Sequence, residues 1–179
     1  MKTVNFLAFS QLITQTTPVA RAILMGNNGN TRLRGTINFY PAGNGTLVAA
    51  EVVGLPRTVL TSKGEAPAGP FYAFHIHEGS ACGSGAGDNP FSDAGNHYNP
   101  TQTTHPGHAG DMPPLLADKG YAYATFFTSR FTPDQVIGRT VVVHQNPDDF
   151  HTQPSGNAGQ KIACGPIQAV AAPLYSQLI

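Results

Sequence analysis

Apolar residues in this chain come in short alternating runs, each closed by glycine, proline or asparagine, and that spacing favours strands. Leu33–Tyr40 (LRGTINFY) sets the pattern, with Leu33, Ile37 and Phe39 on one face at period two. Pro41-Ala42-Gly43-Asn44-Gly45 then reads as a tight turn, and Thr46–Val53 as the returning strand. Val19–Met25 reads as a strand before the turn-rich Gly26-Asn27-Asn28-Gly29-Asn30. Phe71–His77, Tyr121–Phe127, Val136–His144 and Lys161–Ile167 are further predicted strands. Charged residues are only 11%, well under the usual quarter, while 20 Gly and 15 Pro supply turns. Together these features predict an all-β sandwich or small barrel. Two long segments, Glu78–Pro114 and Asp148–Gln160, are left as loops, and loops of that length in one domain are usually functional.

A length of 179 residues suits one domain with a substantial core. We place an N-terminal arm at 1–18, the main domain at 19–167 and an apolar tail at 168–179. Residues 3–13 could form a short helix or a packed arm, bounded by Pro18. Ten basic residues balance ten acidic ones, and no basic block stands out, so nothing points to nucleic acid or an anionic membrane. The apolar patch Phe6-Leu7-Ala8-Phe9 is too short for an export signal or a membrane span, which favours the cytoplasm. Cys82 and Cys164 pull the other way if they are bonded, because a structural disulfide suits an oxidising, extracytoplasmic setting.

The chemistry lies in the seven histidines, His75, His77, His97, His105, His108, His144 and His151. Residues two apart on a strand share a face, so His75 and His77 stand about 7 Å apart and can converge on one metal. Phe74 and Ile76 then point into the core. His97 (GNHYNP) and His105, His108 and Asp111 (HPGHAGD) supply three imidazoles and a carboxylate, a natural closed tetrahedral set for zinc. Gly107 and Gly110 give that loop room to fold tightly. His144 ends the apolar run Val141-Val142-Val143 at a loop mouth and gains meaning only as a further imidazole for His75 and His77. His151 and Asp149 read as exposed loop residues.

Five segments in order, FHIHE (74–78), GNHYNP (95–100), HPGHAGD (105–111), GRTVVVHQNPDD (138–149) and GNAGQKIACG (156–165), make the chain resemble the copper–zinc superoxide dismutases over roughly 19–167. The resemblance implies a Greek-key β-barrel of about eight antiparallel strands. It implies copper on His75, His77, His97 and His144, and zinc on His97, His105, His108 and Asp111, with His97 shared. It further implies Asp148 as a carboxylate bonded to one imidazole of each site, and a disulfide between Cys82 and Cys164; two free buried thiols are the alternative. The implied substrate is the superoxide anion, with a homodimer as one candidate assembly. His97 is then a proton carrier as copper alternates between its two oxidation states, and Lys161 stands where the family has an anion-guiding arginine. Lysine keeps the charge and loses the planar fork.

Two other readings use the same residues. One is a relative without enzyme activity that is stabilised by zinc and binds or stores copper. The other is a cupin-like oxygenase built on the His75/His77 pair, which needs a carboxylate close by. Glu78 is adjacent, but strand alternation turns it to the opposite side.

Overall fold

The computed structural model describes Ile13 and residues 16–56, 70–83 and 89–171. Nine strands make one antiparallel sheet: β1 (Ala20–Gly26), β2 (Arg34–Ala42), β3 (Gly45–Val53), β4 (Phe71–Tyr72), β5 (Phe74–His77), β6 (Leu115–Asp118), β7 (Tyr121–Thr128), β8 (Thr140–His144) and β9 (Lys161–Ala169). Their spatial order is β4-β6-β7-β3-β2-β1-β9-β8-β5. The two ends of that order, β4 and β5, are one extended run that changes partners at Ala73. The nine strands therefore occupy eight positions, and the sheet nearly closes on itself. β3 pairs with β7 rather than β4, and β1 pairs with β9, which gives the Greek-key connectivity.

Alternation fills the barrel. Leu24, Leu33, Ile37, Phe39, Phe74, Ile76, Leu115, Phe131 and Ile167 are fully buried, and Phe39 meets Phe131 edge-on at 6.4 Å. The β5 register is the one that matters for function. Phe74 and Ile76 enter the core while His75 and His77 face outward opposite Val142 and Thr140. A slip of one residue would expose Phe74 and Ile76, at roughly 1.5–3 kcal/mol each, and push two imidazoles into the apolar interior.

The structure corrects the sequence reading in two places. Leu115–Asp118, which the alternation pattern does not predict, is a strand; it forms a hairpin with β7, pairing Ala117 with Ala122 and Asp118 with Tyr121. Val136–Arg139 is not strand: Pro133–Val136 is one helical turn, and Gly138 follows at φ 82. Thr132 caps that turn, its N–H bonded to Gln135 Oε1 at 2.9 Å. Ile13 packs against Tyr40, Leu47 and Ala49 on the outer face. The rest of the predicted 3–13 element lies outside the described residues, as do 172–179 of the tail.

The long loop after β5 folds back along its free edge. Tyr98 N–H bonds to the Ile76 carbonyl, Ile76 N–H to the Gly110 carbonyl, and Glu78 N–H to the Asn96 carbonyl. His77 and His97 form one isolated bridge, His75 and Asp111 another. Cys82, in the same loop, is bonded to Cys164 on β9, beside Phe91, Ala94 and Val142. That bond closes a span of 82 residues. Removing it with Cys82→Ala and Cys164→Ala is expected to lower stability by about 2–5 kcal/mol, from the chain entropy restored to the unfolded state. Denaturant melts of the double variant and the parent check this; an unchanged midpoint would refute it.

Candidate metal centre

Six imidazoles and a carboxylate, scattered over 70 positions of sequence, meet on the outer face of β5 and β8. The ligand atoms of His75, His77, His97 and His144 all lie within 4.8 Å of one another, and so do those of His97, His105, His108 and Asp111. His97 belongs to both groups. Its ring centroid is 4.0 Å from that of His75, 4.9 Å from His77 and 5.5 Å from His108. Glu78 is exposed and accepts from Asn96 instead, and His151 is 78% exposed at its side chain; neither joins a group.

A bulge delivers His144 and Lys161 to this face. The β8–β9 register runs Val142↔Cys164 and Val143↔Ala163, then jumps to His144↔Lys161. The skipped residue, Ile162, goes into the core, so Lys161 comes to lie opposite His144 rather than pointing inward. Lys161 Nζ donates to the carbonyls of Gly95 (3.1 Å) and Phe91 (3.3 Å). Burial lowers the Lys161 pKa, partly offset by Asp93.

The hydrogen bonds fix which nitrogen of each ring is bare. His77 Nδ1 faces the Gly95 carbonyl at 2.9 Å, and His144 Nδ1 faces the Gly159 carbonyl at 3.2 Å. A carbonyl only accepts, so both Nδ1 atoms carry the hydrogen and both Nε2 atoms present lone pairs. Those two Nε2 atoms stand 3.1 Å apart. Asp148 does the same for a second pair: its carboxylate accepts from His75 Nε2 and from His105 Nε2, each at 2.8 Å. The other nitrogen of each ring, Nδ1, is buried with no hydrogen-bond partner, as are His97 Nε2 and His108 Nδ1. His105 Nδ1, left with its lone pair, lies 3.1 Å from Asp111 Oδ2, and His108 Nδ1 lies 3.4 Å from the same oxygen. Facing lone pairs and buried orphan acceptors repel one another in the absence of a cation. The donor set suits two metal ions.

The charge states agree. Burial holds His75 down to about 4, His144 to about 3 and His77 well below its ordinary value, and it lowers His108 too. All four are neutral at pH 7, as a metal ligand must be. Burial raises Asp148, but bonds from His75, the Phe150 N–H and His105 outweigh it and hold the carboxyl far below its usual range. Asp111 is also lowered: the His97 hydrogen bond and the neighbouring imidazoles prevail over burial.

Two glycines are there for close approach. A Cβ on Gly110 would sit 2.3 Å from the Ile76 carbonyl oxygen, so the loop could not lie against β5. Gly156, at φ +68, would press one to 2.0 Å from Asp148 Oδ1 and 2.7 Å from His105 Nε2. Sequence reasoning missed Gly156, though it opens the GNAG motif. It also missed the Gly95 and Gly159 carbonyls, since a main-chain acceptor leaves no residue signature.

Fold and site together define a metalloprotein on a Greek-key barrel, with two donor sets joined by one imidazole. The family described as copper/zinc superoxide dismutase (SODC) matches residues 33–167. The copper–zinc superoxide dismutase of Deinococcus radiodurans is 34% identical over 170 residues, covering 86% of each chain. The extracellular copper–zinc superoxide dismutase of Caenorhabditis elegans is 32% identical, covering 95% of this chain and 80% of its own. Superoxide dismutase 2 of Aquifex aeolicus, also copper–zinc, is 33% identical over 83% of this chain and 86% of its own. This chain belongs to the copper/zinc superoxide dismutase family. No helix among the described residues is long and apolar enough to cross a membrane.

The buried neutral rings set a pH dependence for the metal-free protein. Below about pH 6.5 the unfolded chain protonates its histidines, while folded His75 and His144 resist until about 4 and about 3. The unfolded state therefore binds more protons, and stability falls as pH drops through that window, by about 1.4 kcal/mol per pH unit for each ring. Denaturant midpoints with chelator present at pH 7, 5.5 and 4.5 should decline in that order; equal midpoints would contradict the buried-neutral assignment.

Proposed function

We propose that this protein dismutates superoxide, with copper held by His75, His77, His97 and His144 and zinc by His97, His105, His108 and Asp111. One observation carries the reading: His97 belongs to both groups, with Nε2 a buried bare nitrogen among the other imidazoles and Nδ1 2.8 Å from Asp111, so that losing the Nδ1 hydrogen would let the one ring serve both ions. A closed set of three imidazoles and a carboxylate suits zinc, while four imidazoles with an accessible side suit a redox metal. A copper ion held by the first set would supply one-electron redox chemistry, by which two superoxide anions and two protons become dioxygen and hydrogen peroxide.

The protein's own groups do the rest. With both ions held, His97 Nε2 would take up a proton in one half of the cycle and give it to the peroxide product in the other, while Nδ1 stays on the side of the His105, His108 and Asp111 set. Asp148 holds the N–H of His75 and His105, so those rings keep their orientation as charge changes beside them. Lys161 guides the anion. Its ammonium has three N–H donors, two of them used on the Phe91 and Gly95 carbonyls, and the third is free for an oxygen of superoxide. The six clustered imidazoles are each no more than 6% exposed, so only a small species reaches them.

Reconstitution with copper and zinc tests this. One ion of each per chain, with superoxide removal that a chelator abolishes, is the expected result. Zinc alone, or bound copper without superoxide removal, would favour the storage or structural alternative. Lys161→Arg is expected to raise the rate severalfold and tighten inhibition by azide, because the fork offers more donors. Lys161→Ala should slow the reaction about tenfold or more, by loss of local steering. Unchanged rates in both variants would remove Lys161 from the mechanism.

A further inference from the structure

The loop bearing His105, His108 and Asp111 is gripped at its backbone by two side chains that belong to neither donor set. Gln153, in the segment between β8 and β9, accepts the His105 N–H at Oε1 (3.0 Å) and donates from Nε2 to the His105 carbonyl (2.7 Å). Arg130, just after β7, donates from Nη1 to the carbonyls of Pro106 (3.0 Å), His108 (3.1 Å) and Asp111 (3.2 Å). Two contacts to one residue fix both the position and the rotation of its backbone. The ring of that residue is tied to the same segment through Asp148. The His105 side chain therefore has little freedom left, and its bare Nδ1 is aimed at Asp111. Arg130 does the corresponding work for the stretch that carries His108 and Asp111, with one nitrogen's two hydrogens shared among three carbonyls.

Both residues are exposed. Exposed polar side chains rarely move global stability by more than about 0.5 kcal/mol, so the core does not explain these contacts. A loop without a strand ladder loses backbone entropy when a metal orders it, and contacts made beforehand cut that cost. We propose that Gln153 and Arg130 are positioning residues, a two-sided backbone clamp that shapes the His97, His105, His108 and Asp111 set before zinc arrives. This rests on the zinc reading of that set.

The test titrates Zn2+ into the metal-free full-length chain carrying His144→Ala, which leaves only the second set complete, with a coloured chelator as competitor. In that background Gln153→Met keeps the side-chain length and removes both hydrogen bonds. Arg130→Lys keeps the charge and loses the reach to three carbonyls. Each is expected to weaken Zn2+ binding about 10–100-fold and to speed amide exchange at His105 and Gly107. The thermal midpoint of the metal-free protein should stay within a few degrees. Zn2+ affinity within twofold of the parent removes that residue from the clamp. A weakened affinity matched by a collapsed metal-free midpoint also overturns the proposal, since the residue is then part of the fold. A parent that takes up no Zn2+ would instead overturn the zinc reading itself.

Discussion

A strand turns only every second residue inward, and β5 uses both sides of that limit at once. Phe74 and Ile76 lock the barrel, and their burial decides where His75 and His77 must point. The energy that holds the site together is thus mostly ordinary apolar packing on the other side of the same four residues. Val141 and Val143 repeat the arrangement on β8, with Val142 and His144 outward. The imidazoles are displayed by a rigid element, which is why they can be held in a conformation that is unfavourable when no cation lies among them.

What the strands display, the loops complete. The segment 96–111 lies against the free edge of β5 and supplies His97, His105, His108 and Asp111, while the segment after β8 contributes Asp148 from the far side. Because Asp148 only accepts, a single carboxylate dictates the tautomer of two rings that face different donor sets. Carbonyls of Gly95 and Gly159 dictate two more. Main-chain and carboxylate acceptors, placed by the fold, therefore determine which lone pairs are available to a metal. The bulge between Val143 and His144 brings a lysine, Lys161, opposite His144 by moving Ile162 inward.

Much of this was legible in the sequence, and the reasons differ from residue to residue. His75-Ile76-His77 is legible because period-two alternation is local physics. The loop histidines are legible because their residue types are uncommon together. Leu115–Asp118 escaped notice because four residues carry too little periodicity to separate a strand from a loop; only its pairing with β7 makes it one. Val136 and Ile137 looked like the start of a strand from their apolarity. The Thr132 and Gln135 cap, together with Pro133, outweighed that propensity.

The sequence by itself determined the faces of the strands, the ligand types and their order, and hence the membership of the family, because alternation and side-chain chemistry act over a few residues. The tertiary structure decided the rest. It decided that His97 lies within both donor sets, that Lys161 stands opposite His144, that Cys82 meets Cys164, and that Gln153 and Arg130 reach the ligand loop. Each of these joins parts of the chain that are distant in sequence, and their meeting depends on how the barrel closes and where its bulge falls, which no local pattern encodes.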